Sequence, residues 1–188
     1  MTELCEIAFK YGTDKCPQIN HKYTPFYYEL LKDRRDSIRK VLEIGIGCRR
    51  RGHYYPEHYV TGASLYMWRD FFPHAEIFGA DILPETIFKD ERIETFLCDA
   101  SKKEDLEKLI EKTGSDIDLF IDDGSHIKEH QILTCRTLMP LLKKDVIYVI
   151  EDVSNSRIVS RALNKYDCQI LLFEGEHHNS KFIVIKNK

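Results

Sequence analysis

The feature that most constrains the fold of this chain is the alternation of short apolar runs with segments of helical periodicity. Five runs rich in β-branched and aromatic residues are almost continuously apolar, which is typical of strands buried on both faces of a parallel sheet. These predicted strands span residues 39–45, 75–81, 93–99, 117–123 and 145–152. Predicted helices, with apolar residues at helical spacing, span 63–72, 102–114 and 128–142.

The end of the chain follows a different pattern. Two further apolar runs, 168–175 and 181–187, are separated by a stretch too short for a helical crossover, so they are predicted to form an antiparallel hairpin. Five βα units followed by a hairpin predict a three-layer α/β fold with a mostly parallel sheet. In such folds the ligand crevice lies at the carboxyl ends of the strands. No domain boundary is indicated, so we expect one domain over 1–188.

Length, charge and cysteine spacing restrict the class of protein. A chain of 188 residues is long enough to bury a core, and its net charge of −3 argues against a nucleic-acid partner. No run approaches the ~18 apolar residues of a membrane span, and residues 1–15 contain no apolar signal core. The six cysteines are scattered singly, which argues against zinc and disulfides and favours a reducing, cytoplasmic setting.

Acidic residues accumulate at the predicted crevice edge. They end four of the predicted strands and are Asp81, Asp99, Asp122, Asp123, Glu151 and Asp152. Several carboxylates that converge on one edge repel one another unless a cation or a donor-rich ligand relieves them. The pattern therefore favours a functional edge over solvated surface charge.

A glycine turn follows the first predicted strand. Gly45 and Gly47 begin the dinucleotide pattern GxGxxG, but Arg50 stands where the third glycine belongs, so the signal for NAD is weak. A tight turn that binds no ligand is an alternative interpretation of the two glycines.

The acids around this turn favour another cofactor. Glu43 in the first strand, Asp81 after the second and Asp99-Ala100 after the third have the layout of a class I S-adenosylmethionine site. In that layout Asp81 takes the ribose hydroxyls, and the polar residue after the third strand reaches the adenine amine. Rossmann dehydrogenases share the ribose acid, so Asp81 alone does not discriminate between the two cofactors.

The loop from Gly47 to Ser64 is unusually long, and such loops tend to be functional or mobile. Its three arginines are Arg49, Arg50 and Arg51. Two interpretations are open: they contact an anionic substrate or the cofactor carboxylate, or they form a solvated charge run. Its aromatic residues either stack on a sugar or aromatic acceptor or pack the loop; they are Tyr54, Tyr55, His58 and Tyr59. Thr61 or Ser64 can cap the next helix, whose N-terminal amides suit a carboxylate.

The fourth and fifth strands carry the candidate chemistry. Asp123, Glu151 and Asp152 are hard oxygen ligands of the kind that magnesium prefers, and such an ion can lower the pKa of a hydroxyl in a bound diol. His126 follows Asp123 by three residues, and its ordinary pKa suits a general base near neutrality. Each acid taken alone is equally compatible with a cap or a surface charge, so the prediction depends on the group.

Together these motifs resemble a known family. From about Tyr11 to Asp152, the stretches KYGTDK, HKYTPFYYELL, VLEIGIG, GASLYMWRDFFPHAEIFGADI, DLFIDDGSHIKEHQILTCRTLMPLL and YVIED are similar to the small class I methyltransferases related to the macrolide sugar O-methyltransferases. The resemblance implies a Rossmann-like methyltransferase fold, S-adenosylmethionine as donor, a magnesium ion, and transfer to a sugar hydroxyl.

The resemblance also implies roles for individual residues. The metal ligands fall on Asp123, Glu151 and Asp152, and the catalytic base falls on His126 beside Asp123. The cofactor positions fall on Glu43, Gly45, Ser64, Asp81, Asp99 and Asp122, to which the pattern of the turns described above adds Gly47 and Ala100.

Two departures from the family concern the acceptor. The arginine-rich loop extends the glycine turn, and we expect no counterpart of the extra N-terminal domain with which the macrolide enzymes oligomerise and shape the acceptor pocket. Residues 1–38 are therefore predicted to form a helical lid in front of a core at 39–188. Its candidate contacts are Tyr11, Asp14, Lys15, His21 and Tyr23. A homo-oligomer remains compatible with the sequence.

We therefore expect a magnesium-dependent O-methyltransferase that acts on a small hydroxylated acceptor, a sugar or a glycoside. The alternative is a subunit that binds S-adenosylmethionine for regulation, which the complete acid set disfavours because binding alone does not need it. Arg50 and the C-terminal hairpin disfavour an NAD(P)-dependent oxidoreductase. The net charge, and the lack of an Asn/Asp-Pro-Pro-aromatic motif, disfavour a nucleic-acid methyltransferase.

Overall fold

The fold was obtained as a computed structural model, which describes residues 1–49, 55–173 and 181–188. The helices are α1 (Glu3–Tyr11), α2 (Tyr23–Leu31), α3 (Ala63–Phe71), α4 (Lys103–Thr113), α5 (Lys128–Leu138) and α6 (Ser156–Ala162). The strands are β1 (Lys40–Ile44), β2 (Glu76–Asp81), β3 (Lys89–Asp90), β4 (Ile93–Leu97), β5 (Leu119–Asp122), β6 (Ile147–Ile150), β7 (Asp167–Leu172) and β8 (Lys181–Lys186).

The strands form a single eight-stranded sheet in the order β3-β4-β2-β1-β5-β6-β8-β7. The five central strands, from β4 to β6, are parallel, whereas β8 pairs antiparallel with both β6 and β7. The predicted α/β fold, a mostly parallel sheet with a C-terminal antiparallel hairpin, is therefore confirmed.

One connection departs from the predicted series of five βα units. Residues 82–92 join β2 to β4 through a short 3₁₀ turn at Pro84–Thr86 and the edge strand β3, without an α-helix. In this connection β3 forms the edge of the sheet and pairs antiparallel with β4. The seven-residue helix α6 was not predicted, because it is too short to show a clear apolar period.

The sheet separates two apolar cores. One core packs α1, α2 and α3 against one face, and the other packs α4, α5 and α6 against the opposite face. Both helices of the predicted N-terminal lid thus belong to a core layer, where Tyr27 and Leu31 of α2 are fully buried. The link between them, residues 12–22, extends over the carboxyl edge of the sheet, together with Tyr23 at the start of α2. The assignment of 1–188 to one domain stays a prediction.

No helix in the described ranges is both long enough and apolar enough to cross a membrane.

Candidate active site

A cavity of about 760 Å³ opens at the carboxyl edge of the parallel strands. The turns after β1, β2, β4, β5 and β6 line it, and residues of the 12–22 link and of the segment 55–64 lie around it. This is the crevice predicted from the strand order, next to the central strand β1. Of the predicted cofactor, metal and catalytic residues, all but Asp122 line the cavity.

Asp122 and Asp123 are separated by the sheet. Because successive strand residues point to opposite faces, Asp123 reaches the cavity while Asp122 is buried on the side of Cys135 and Tyr148. Burial raises the pKa of Asp122 to about 7, against a weak opposing effect of the Gly124 amide 3.4 Å away. A cofactor contact for Asp122 therefore rests on the family resemblance alone.

The turn after β1 needs its glycines. Gly45 has a φ of +86° and Gly47 a φ of +66°, the left-handed region in which glycine is favoured. The Gly47 amide donates a hydrogen bond of 3.2 Å to the Asp81 carboxylate, which also accepts one of 3.1 Å from the Leu83 amide. The predicted ribose acid is thus aligned by the glycine turn.

Asp99 lines the cavity after β4 and is held by hydrogen bonds within its own turn. Ser101 donates to its carboxylate through both the amide and the hydroxyl, the latter at 2.6 Å, and Lys102 lies 3.0 Å away. The hydrogen bond from the Ser101 hydroxyl, assisted by Lys102, lowers the pKa of Asp99 to about 2. Asp99 is therefore a fixed anion beside Ala100 at the cavity wall.

Glu43 is buried and fully engaged by protein donors. The Ser64 hydroxyl donates to one oxygen at 2.7 Å, and the Trp68 indole donates to the other at 2.5 Å. Trp68 was not among the predicted site residues, although it follows Ser64 by one helical turn and so shares its face of α3. The predicted cap is also wrong, because Gly62 is the N-cap of α3 and Ser64 bonds to Glu43 instead.

Lys15 lies at the centre of the acid cluster. Its ammonium is 2.6 Å from both Asp123 Oδ2 and Glu151 Oε2, and 3.6 Å from Glu43. The Tyr27 hydroxyl donates to the other oxygen of Glu151 at 2.5 Å. Burial alone would lower the pKa of Lys15, but the surrounding carboxylates hold it well above its usual value. Lys15 is therefore a buried cation.

His126 faces two of the acids. Its Nε2 lies 3.2 Å from Asp123 Oδ1 and 3.7 Å from Asp152 Oδ2, and the Tyr23 hydroxyl donates to the other oxygen of Asp152. The hydrogen bond to Asp123 raises the pKa of His126 to about 9, against the effect of burial. His126 and Asp152 both have positive φ angles, 56° and 51°, a strained conformation that is common at functional sites.

This arrangement fits a divalent cation. One ligand atom each from Asp123, His126 and Asp152 lies within 4.8 Å of the others. Hard carboxylate oxygens are the ligands that magnesium prefers, so Asp123 and Asp152 are suitably placed. Glu151, the third predicted ligand, is directed at Lys15 and Tyr27.

The remaining predictions concern the long loop and the lid contacts. Arg50, Arg51 and Tyr54 lie outside the described residues. The Arg49 guanidinium donates to the backbone oxygens of Pro56 and Glu57, which supports a packing role. Tyr55 and Tyr59 line the cavity, as do Asp14, Lys15, His21 and Tyr23. Tyr11 does not line it; its hydroxyl donates to Asp70.

No family model matches the chain, but individual proteins do. It is 36% identical over 151 residues to mycinamicin VI 2''-O-methyltransferase of Micromonospora griseorubida, covering 80% of this chain and 36% of that protein. It is 34% identical over 153 residues to 8-demethyl-8-alpha-L-rhamnosyl tetracenomycin-C 2'-O-methyltransferase of Streptomyces olivaceus, covering 81% of this chain and 38% of that protein. The chain thus spans little more than a third of these relatives' length.

Comparison with solved structures supports the same relationship as the sequence comparison. The methyltransferase MycE of the mycinamycin pathway, solved in complex with Mg, SAH and mycinamycin VI, superposes with a TM-score of 0.77 and 27% identity over 99% of this chain and 55% of that chain. The resemblance predicted from the motifs is thereby confirmed: the chain has a Rossmann-like methyltransferase fold and is a homologue of the macrolide-type sugar O-methyltransferases.

Proposed function

We propose that this protein transfers a methyl group from S-adenosylmethionine to a hydroxyl of a small acceptor, a sugar or a glycoside, with the help of magnesium. The observation that carries the proposal is the joining of two halves in one cavity: the glycine turn with Asp81, and the group of Asp123, His126 and Asp152. The relatives, which are named as O-methyltransferases and one of them for a rhamnosyl acceptor, support the same chemistry.

The donor occupies the half next to β1 and β2. Asp81, held by the Gly47 amide, accepts hydrogen bonds from the ribose hydroxyls, and the Asp99-Ala100 turn faces the adenine. Glu43 and Ser64 lie between donor and acceptor, and the hydrogen bond between their side chains links β1 to α3.

The acceptor occupies the half next to β5 and β6. Asp123 and Asp152 would hold magnesium, which would supply a positive charge that lowers the pKa of an acceptor hydroxyl. His126 takes the hydroxyl proton, the oxygen forms a bond to the methyl carbon, and the donor leaves as S-adenosylhomocysteine (SAH). The protein's main contribution is to hold the oxygen in line with the methyl group.

His126 must be neutral to accept that proton. In the structure its proton is held by the charge of Asp123 and, more weakly, of Asp152, which accounts for a pKa of about 9. A cation bound by the two carboxylates would offset this charge, so His126 would lose its proton more readily. The same acids thus serve as metal ligands and control the protonation of the base.

A subunit that only binds S-adenosylmethionine is the second candidate. It accounts for the donor half but not for the acid group at β5 and β6, which a binding function does not require. We therefore favour the enzyme.

The test combines binding with turnover. SAH should bind and raise the melting temperature by mass action, whereas NAD should leave it unchanged. A panel of glycosides should include a substrate whose methylation stops in EDTA and returns with added magnesium. Stabilisation by NAD equal to that by SAH would contradict the methyltransferase assignment, whereas full turnover in EDTA would contradict only the role of the metal.

A further inference from the structure

Lys15 bridges the two halves of the cavity. Among the described residues that line the cavity it is the only lysine or arginine, and its side chain is 2% exposed. An ammonium has three hydrogens to donate, and that of Lys15 has three carboxylate neighbours. Asp123 and Glu151 lie at short distance and Glu43 lies farther away. Lys15 therefore neutralises part of a buried acidic group.

The position of Lys15 conflicts with the predicted metal ligands. Glu151 has both oxygens engaged, one by Lys15 and one by Tyr27. Asp123 offers Oδ2 to Lys15 and only Oδ1 toward His126 and Asp152. A divalent ion that recruits Glu151, or both oxygens of Asp123, must take the place of the ammonium, because two cations repel each other at such short separation.

Lys15 is also connected to the segment above the cavity. Its carbonyl accepts hydrogen bonds from the amides of Tyr23 and Thr24 at the start of α2, at 3.1 and 3.0 Å. Gly12, with a φ of +77°, ends α1 on the other side of the link. Lys15 is therefore joined through its backbone to the start of α2, where the Tyr23 hydroxyl donates to Asp152.

We infer that Lys15 is a resident counter-ion that competes with the divalent cation for Asp123 and blocks Glu151, the third predicted ligand, so that metal loading displaces the Lys15 ammonium and loosens residues 12–22. The inference rests on the proposed function, because it requires a cation at this edge. Lys15 is a positioning residue in this scheme: it acts through the acids and does not touch the reacting atoms.

The first test measures Mn²⁺ binding by electron paramagnetic resonance on the full chain without acceptor. Lys15→Met keeps the length of the side chain without its charge and should bind Mn²⁺ at least tenfold more tightly than wild type. Lys15→Arg, which keeps the charge, should bind no more tightly than wild type. The matched control Lys32→Met removes an exposed lysine paired with Glu29 and should match wild type. Equal or weaker binding by folded Lys15→Met would overturn the inference, as would no binding by either protein.

The second test uses wild type only, in case Lys15→Met does not fold. Backbone hydrogen exchange in residues 13–22 should become faster when Mn²⁺ is saturating. Unchanged or slower exchange with bound Mn²⁺ would overturn the competition. SAH binding, measured on the same samples, reports on the donor half separately, so the loss of the proposed function and the loss of this inference are distinguishable.

Discussion

A Cβ atom on Gly45 would lie 1.9 Å from the carbonyl oxygen of Asp123. The turn after β1 and the turn after β5 are thus in direct backbone contact, and the Asp123 amide completes this contact with a 2.9 Å hydrogen bond to the Ile44 carbonyl. Because β1 and β5 are neighbouring parallel strands, the half of the cavity assigned to the donor and the half assigned to the acceptor share one fixed boundary.

Gly45→Ala should therefore destabilise the protein by about 2 kcal/mol or more, because it adds a clash with backbone atoms to an unfavourable positive φ. Urea unfolding measures the effect. Gly124→Ala, in the turn after β5, is the control: its Cβ would meet nothing closer than 3.4 Å, so it should cost much less. Equal stability of the two variants would contradict the close approach.

Asp81→Ala should weaken SAH binding about tenfold or more, since it removes charge-assisted hydrogen bonds worth about 1.5–3 kcal/mol. Isothermal titration calorimetry gives the dissociation constant. Asp116→Ala removes a carboxylate that pairs with Lys40 at the opposite edge of the sheet and should bind SAH like wild type. If both variants bind SAH as wild type does, the ribose is held elsewhere.

His126→Ala should lower kcat by about 10²–10⁴, the usual effect of losing a general base, while SAH affinity stays near the wild-type value. His74→Ala, an exposed histidine, serves as control. Steady-state methylation of the acceptor found in the glycoside panel provides the measurement. A fully active His126→Ala enzyme would show that another group takes the proton.

Asp123→Asn should lose activity that excess magnesium partly restores, because the amide is a weaker ligand than the carboxylate. Rates measured over a range of magnesium concentrations separate this effect from that of His126→Ala, which added magnesium should not rescue. A loss of activity that is insensitive to magnesium would remove Asp123 from the metal site.

Asp70 provides a pH-dependent contribution to stability away from the cavity. Burial would raise its pKa, but hydrogen bonds from Lys10, Tyr11 and Arg69 outweigh burial and lower the pKa to about 2. A depressed pKa stabilises the fold above the unfolded value, and the contribution disappears as the pH falls through the folded value. Asp70→Asn should therefore cost about 1–2 kcal/mol at pH 6, allowing for partial exposure, and the difference from wild type should shrink between about pH 4 and pH 2.

Denaturant unfolding at several pH values tests this expectation. The control Asp33→Asn, on the exposed turn after α2, should cost little at any of these pH values. A constant difference between Asp70→Asn and wild type across the range would contradict the linkage.

The strands, and the edge of the sheet at which the acids gather, follow from local sequence pattern. Buried parallel strands produce continuous apolar runs, and the acids that follow Ile121 and Ile150 in neighbouring strands must meet at the carboxyl edge whatever surrounds them. The acids beyond β5 and β6, and the glycine turn after β1, could therefore be recognised from local pattern. The short connection after β2 could not, because edge pairing has no strong local signal.

The groups that each acid contacts depend on how distant parts of the chain pack together. Lys15 meets Asp123 and Glu151 from 108 and 136 residues away along the chain, and no local spacing encodes such a contact. The helices α1 and α2 were predicted as part of a lid but pack as a core layer, because an amphipathic helix specifies that it needs an apolar surface but not which one. Their packing against the sheet places Lys15 and Tyr27 on Glu151, and the alternation along β5 turns Asp122 away from the cavity that Asp123 enters.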